Sequence, residues 1–248
     1  MCIITKNSIF AVKTKQNEMI TRYHAKYYAQ LLSQKSVGNN LQNLSQSLLN
    51  SAVDINPHQI DAALFAFKSP LSKGVVLADE VGLGKTIEAG LVLCQMWSTG
   101  KRKIIIVCPA SLRKQWSFEL AEKFGVASEI LDAKVFNAYV AEGKNPFSYN
   151  RVIICSYNFA AKKKAEVLRH GFDLAIVDEA HKLRNVYRKS ARTAADVRDA
   201  LAGTKKLLLT ATPFQNSLME LYGLTTVIDR ISLAAKRPSV VIMAMVRI

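Results

Sequence analysis

Five short runs of β-branched and aliphatic residues, each followed by a longer segment with helical spacing, constrain this chain more than any other feature. They are "GVVLA" (74–78), "KIIIVC" (103–108), "RVIICS" (151–156), "LAIVD" (174–178) and "KLLLTA" (206–211). Runs that are apolar throughout, rather than alternating with polar residues, must be covered on both faces, which is the condition of a parallel sheet between helical layers. Helices are expected over 85–97, 111–124, 157–169, 190–202 and 216–228. The fold class predicted is α/β, with one mostly parallel central sheet and chemistry in the loops at the strands' C-terminal ends.

The flanks depart from this rhythm. Residues 1–55 form a lead-in, partly helical or loose: "MITRYHAKYYAQLL" has helical spacing, while "SQKSVGNNLQNLSQSLLNS" is polar and rich in Asn, Gln and Ser. A compact unit is expected over 56–230. The last stretch, 231–248, ending in "SLAAKRPSVVIMAMVRI", shows no strand-loop-helix pattern and is expected to be an aberrant or truncated tail.

The 248 residues, half of them hydrophobic, suffice for one large domain. A formal charge of +15, from 34 Lys+Arg against 19 Asp+Glu, attracts a polyanion; nucleic acid and an anionic membrane surface are the two candidates. No apolar run of about 18 residues is present to span a bilayer, and the N-terminal apolar patch is too short for a secretory signal. The expectation is a soluble, cytoplasmic chain with no membrane partner. Cys2, Cys94, Cys108 and Cys155 have no C-x-x-C spacing, and Cys108 and Cys155 lie in apolar runs, so buried, reduced thiols are expected.

"LADEVGLGKTIEAG" (77–90) places a glycine turn between a buried strand and a helix. Such a turn cradles phosphate, because its backbone N–H groups converge there and the helix presents its positive end. Gly82, Leu83 and Gly84 form the turn, Lys85 reaches the β- and γ-phosphates, and the Thr86 hydroxyl is a ligand for Mg²⁺. The pattern G-x-x-x-x-G-K-[ST] asks for glycine where Asp79 stands, so a second feature is needed. "FDLAIVDEAHKLRN" supplies it, delivering Asp178 to hold Mg²⁺ and Glu179 to orient or deprotonate the attacking water. The two together predict an ATP–Mg²⁺ site.

In this order the motifs resemble helicase superfamily two, and within it the Swi/Snf-related DNA translocases, particularly bacterial RapA-like members. "LADEVGLGKTIEAG" is similar to that family's motif I, where Asp commonly replaces the first glycine. "IIIVCPASLRKQW" is similar to motif Ia, "VDEAH" to motif II of the DEAH type, "LLLTATPFQNSLMELYGL" to motif III, and "NPHQIDAALFAF" to the upstream glutamine motif. The resemblance implies a three-layer RecA-like P-loop NTPase lobe, with Gln59 on adenine and with His181, Thr210 and Thr212 coupling the nucleotide site to DNA. It further implies backbone contacts to double-stranded DNA, for which Ser111, Arg113 and Lys114 are the candidates, whereas Trp116 is read as core. "PASLRKQW" and "TAT" differ from the stretches a DEAD-box RNA helicase would show.

Such translocases carry a second lobe whose arginines complete the site, and none is visible after Leu224; the expectation is one lobe that hydrolyses ATP poorly by itself. A nucleoid location follows, with RNA polymerase or a repair or restriction-modification factor as possible partners. Two other readings stay open: a basic nucleic-acid-binding module with a vestigial ATP site, and a different P-loop enzyme such as a small-molecule kinase.

Overall fold

The structure, a computed structural model, describes residues 2–5, 8–11, 57–68, 73–79, 84–148, 150–188, 190–211, 218–229 and 240–245. Its centre is a parallel sheet of β3 (Gly74–Asp79), β4 (Ile104–Cys108), β5 (Ser128–Leu131), β6 (Val152–Ser156), β7 (Leu174–Asp178) and β8 (Lys205–Thr210), ordered β3-β8-β7-β4-β6-β5. Beyond β3 lies β9 (Val240–Met245), also parallel, followed by β1 (Cys2–Thr5) and its antiparallel neighbour β2 (Ser8–Ala11).

Successive side chains of a strand point to opposite faces, and this alternation divides the core in two. Val76, Ile105, Val107, Ile153, Ala175, Val177 and Leu208 face one cluster, while Val75, Leu77, Ile104, Ile106, Ile154, Ile176 and Leu209 face the other. The first is covered by α4 (Ala133–Ala141), α5 (Tyr157–Lys162), α6 (Lys164–His170), α7 (Arg192–Ala200) and α8 (Leu218–Ile228). The second is covered by α1 (Pro57–Lys68), α2 (Lys85–Ser98) and α3 (Arg113–Phe124). Helix, sheet and helix make the three layers expected from strands apolar on both faces. Among the described residues no helix is long and apolar enough to cross a membrane.

Several elements differ from the sequence reading. The helix expected over 157–169 is interrupted at Lys163, whose N–H closes α5 on the Phe159 carbonyl while its own carbonyl accepts from Val167 at the start of α6. Strand β5 escaped notice because "SEIL" is short and only Leu131 is buried, as befits a strand paired on one side alone. Helix α4 also escaped, although its signal is in the sequence: Asp132 caps it, accepting from the Val135 N–H at 2.9 Å. Strand β9 lies within the stretch read as a tail and runs beside β3 from Gly74↔Val240 to Asp79↔Met245. The helical reading of "MITRYHAKYYAQLL" and residues 230–239 lie outside the described residues.

The free cysteines Cys108 and Cys155 are buried and Cys94 is half-buried. Burial pushes the Cys94 thiol up to about 11 and Cys108 up to about 12, the latter aided by the Asp178 charge.

Lys206 is a charged group in the core, 3% exposed, with its amine donating to the Thr204 carbonyl at 2.9 Å. Burial pulls its pKa down to about 8, a pull that Asp229 partly offsets. The unfolded chain therefore holds more protons than the folded one between about pH 8 and the ordinary lysine value, and stability rises with pH across that window. Lys206→Met should accordingly stabilise the chain by about 2 kcal/mol at pH 7, allowing for the lost hydrogen bond, with the gain shrinking towards pH 10. Urea unfolding at the two pH values checks this; a less stable Met variant at pH 7 would show that the amine contributes more than its burial costs.

Candidate functional site

Strand register assembles the site. In the order β3-β8-β7-β4, Ala78 pairs with Thr210, Leu209 with Asp178, and Val177 with Val107. The ends of β3, β8, β7 and β4 thus lie side by side, and the segments that follow them emerge along one edge. Gly84 and the start of α2, the Asp178–Glu179 pair, the end of "LLLT" and the "PASLRKQW" stretch are brought together, although they are far apart in sequence.

At the first of these ends, Gly84 is the N-cap of α2, with φ 90°. That left-handed conformation is readily open only to glycine. Its carbonyl accepts from the N–H groups of Ile87 and Glu88, and it has no side chain to close off the first turn of the helix. The Gln59 amide from α1 packs on it so closely that a Cβ placed on Gly84 would lie 2.2 Å from Gln59 Nε2. Gln59 is 2% exposed, so its described place is against the last glycine of the turn. Lys85 and Thr86 open the helix half-exposed. Gly82 and Leu83, together with Thr212, lie outside the described residues.

Asp178 ends β7 with both carboxylate oxygens engaged. Oδ2 accepts from the Trp116 indole N–H at 2.9 Å, and Oδ1 from the Glu179 backbone N–H at 2.9 Å. Burial raises its pKa above the ordinary carboxylate value, while those two donors and the Lys85 charge pull it back. Glu179 has φ 55°, unusual for a residue with a side chain and costing of the order of 1 kcal/mol or more. The Tyr157 hydroxyl holds this bend by donating to the Asp178 carbonyl at 2.5 Å, with the Glu179 carbonyl 3.2 Å away. Burial, and then the charge of Asp178, push the Tyr157 hydroxyl well above the usual phenol value, so it stays a donor. His181, on the 3-10 turn Ala180–Leu183, brings Nδ1 to 3.0 Å from Glu179 Oε2, within ion-pair distance but without hydrogen-bond alignment. Thr210 is buried at the end of β8.

Ser111 and Lys114 are exposed, and Arg113 half-exposed, at the turn leading into α3. The Arg113 Nε–H donates to the Ala110 carbonyl at 3.1 Å. By contrast Lys163 lies over the Phe136 ring and pairs with Glu166, and Lys164 pairs with Asp196 at 2.7 Å, so both amines are engaged within the chain.

The residues present fit the phosphate and metal that the sequence implies. An uncapped helix start beside a lysine suits a phosphate, and a strand-end carboxylate on the same sheet edge as the Thr86 hydroxyl suits a hard divalent cation. Two contributors were missed in the sequence. Trp116 is core, as read, but its polar tip reaches Asp178, as a buried indole N–H usually finds an acceptor. Tyr157 had only its position immediately after a strand end as a signal.

The SNF2-related domain matches residues 12–237 of the chain. Among solved structures the chain is similar to the Sulfolobus solfataricus SWI2/SNF2 ATPase core in complex with dsDNA, with a TM-score of 0.59 and 22% identity. The match covers 73% of this chain and 36% of that one, so the chain corresponds to little more than a third of that structure's length. At this identity the likeness speaks for the fold, a RecA-like SWI2/SNF2 ATPase lobe, and agrees with the layers and edge described above. With the family match running through most of its length, the chain belongs to the SNF2-related domain family.

Proposed function

We propose that this chain is the first ATPase lobe of an ATP-dependent DNA translocase, binding Mg·ATP and the backbone of duplex DNA along one sheet edge. The observation that carries the reading is the placement of the α2 start, after β3, and of Asp178–Glu179, at the end of β7, along one sheet edge with only β8 between them. Lys85 neutralises the β- and γ-phosphates, and the turn through Gly84 presents N–H groups to them. Thr86 and Asp178 would hold Mg²⁺, which when bound draws charge from the phosphate oxygens. Glu179 accepts a proton from the attacking water. Gln59 serves the adenine side from behind Gly84, while His181 and Thr210, next to these groups, relay the state of the site towards DNA.

The net charge of +15 supports a polyanionic partner, and the solved core to which this chain is similar was captured on double-stranded DNA. Ser111, Arg113 and Lys114 are the contacts proposed here. Phosphate contacts release counterions, each steepening the fall of log affinity with log salt by roughly 0.9. Duplex binding should be indifferent to sequence, and replacing Arg113 and Lys114 together by Ala should lower the salt slope by at most about two units. Titration of labelled duplexes across a salt series tests this; an unchanged slope would move the DNA track elsewhere on the surface.

A further inference from the structure

Helix α3 is braced against both halves of the proposed site. Near its start Trp116, 2% exposed, donates its indole N–H to Asp178 Oδ2 at 2.9 Å. At its end the Phe124 ring occupies the space over Gly90 of α2, where a Cβ would lie 2.2 Å from Phe124 Cζ. The same helix follows directly on the 3-10 turn Ala110–Leu112 that carries Ser111, and it has Arg113 and Lys114 in its first turn. The indole is packed in the core cluster on its face of the sheet, so its N–H direction is fixed by its surroundings. The other Asp178 oxygen is held by the Glu179 N–H, and together the two donors define the plane in which the carboxylate lies.

We propose that Trp116 is a positioning residue for Asp178, fixing the carboxylate for its metal, so that the metal dependence of nucleotide binding is set from helix α3. The inference rests on the ATPase reading above and deepens it. Hydrogen bonds that orient a metal-binding side chain from behind contribute about 10-fold or more to metal affinity. Trp116 does so from the helix that also presents the proposed DNA contacts, which makes α3 the element through which a pull on the DNA side would alter the grip on the metal.

The test uses the full chain, the fluorescent nucleotide mant-ADP and MgCl₂. Trp116→Phe keeps an aromatic ring in the core and removes the N–H; benzothienylalanine at position 116, nearly isosteric with Trp and lacking only that donor, serves if the Phe variant fails to fold. The expected result is that half-saturating Mg²⁺ for mant-ADP binding rises by about 10-fold, while affinity in EDTA stays within about twofold. A second readout needs no substitution at 116. The chain has two tryptophans, so in Trp97→Phe the emission reports Trp116 alone and should change with Mg·ADP but not with ADP in EDTA. An unaltered Mg²⁺ midpoint in both position-116 variants, or equal losses with and without Mg²⁺, would overturn the positioning role and leave the indole as packing only. A parent chain that takes up no mant-ADP under either condition would overturn the ATPase reading itself, and this inference with it.

Discussion

Lys85→Ala is expected to weaken Mg·ATP binding by roughly 100-fold, the worth of about 3 kcal/mol of charge-assisted contact to phosphate. The reasoning starts from placement. Lys85 is the first residue of α2, anchored by the left-handed Gly84 turn, and its ammonium acts electrostatically on Asp178. No other described cation is assigned to the phosphates here, so Ala leaves them with backbone donors and the helix terminus. Ala also favours a helix start, so the fold should be kept and far-UV circular dichroism should match the parent. Fluorescent-nucleotide titration checks the expectation. Affinity within twofold of the parent would remove the phosphate role from Lys85 and favour a nucleic-acid-binding module with a vestigial ATP site.

Glu179→Gln should separate binding from turnover. The amide has the shape of the carboxylate and leaves Asp178, Thr86 and Lys85 untouched, so Mg·ATP should bind as in the parent. It cannot accept a proton from water, and general-base catalysis contributes typically 10² to 10⁴-fold. Phosphate release, measured in a single turnover with a second ATPase lobe joined to this one, should fall by at least about 100-fold. The strained bend at Glu179 supports the assignment: its φ of 55° is held by Tyr157, and backbone strain of this kind collects where a side chain must be aimed. Release at the parent rate would show that Glu179 is not the base.

Much of this was legible because it is local. A glycine turn between an apolar strand and a helix, and a carboxylate pair at the end of "LAIVD", announce themselves within a dozen residues, as do strands apolar on both faces. What was not legible depends on register and packing across the chain. The Trp116 bond to Asp178 joins residues 62 apart in sequence, and it exists because β4, which leads into α3, runs beside β7. Nothing in "LRKQW" distinguishes a core indole from one whose N–H is committed to a carboxylate. Tyr157 and the packing of Gln59 on Gly84 were hidden for the same reason. Strands β5 and β9 were missed on opposite grounds: "SEIL" is too polar for a buried strand, being an edge, and "VVIMAM" had no strand-loop-helix context to mark it.

The central claim is that one sheet edge holds Mg·nucleotide between the start of α2 and the end of β7. A crystal structure of the chain grown with Mg·ADP tests it most directly. The account predicts the β-phosphate within hydrogen-bond distance of Lys85 Nζ and of the backbone amides opening α2, with the metal beside Thr86 Oγ1 and Asp178, directly or through one water. Nucleotide bound at another surface, or a chain that crystallises empty at saturating Mg·ADP, would contradict it.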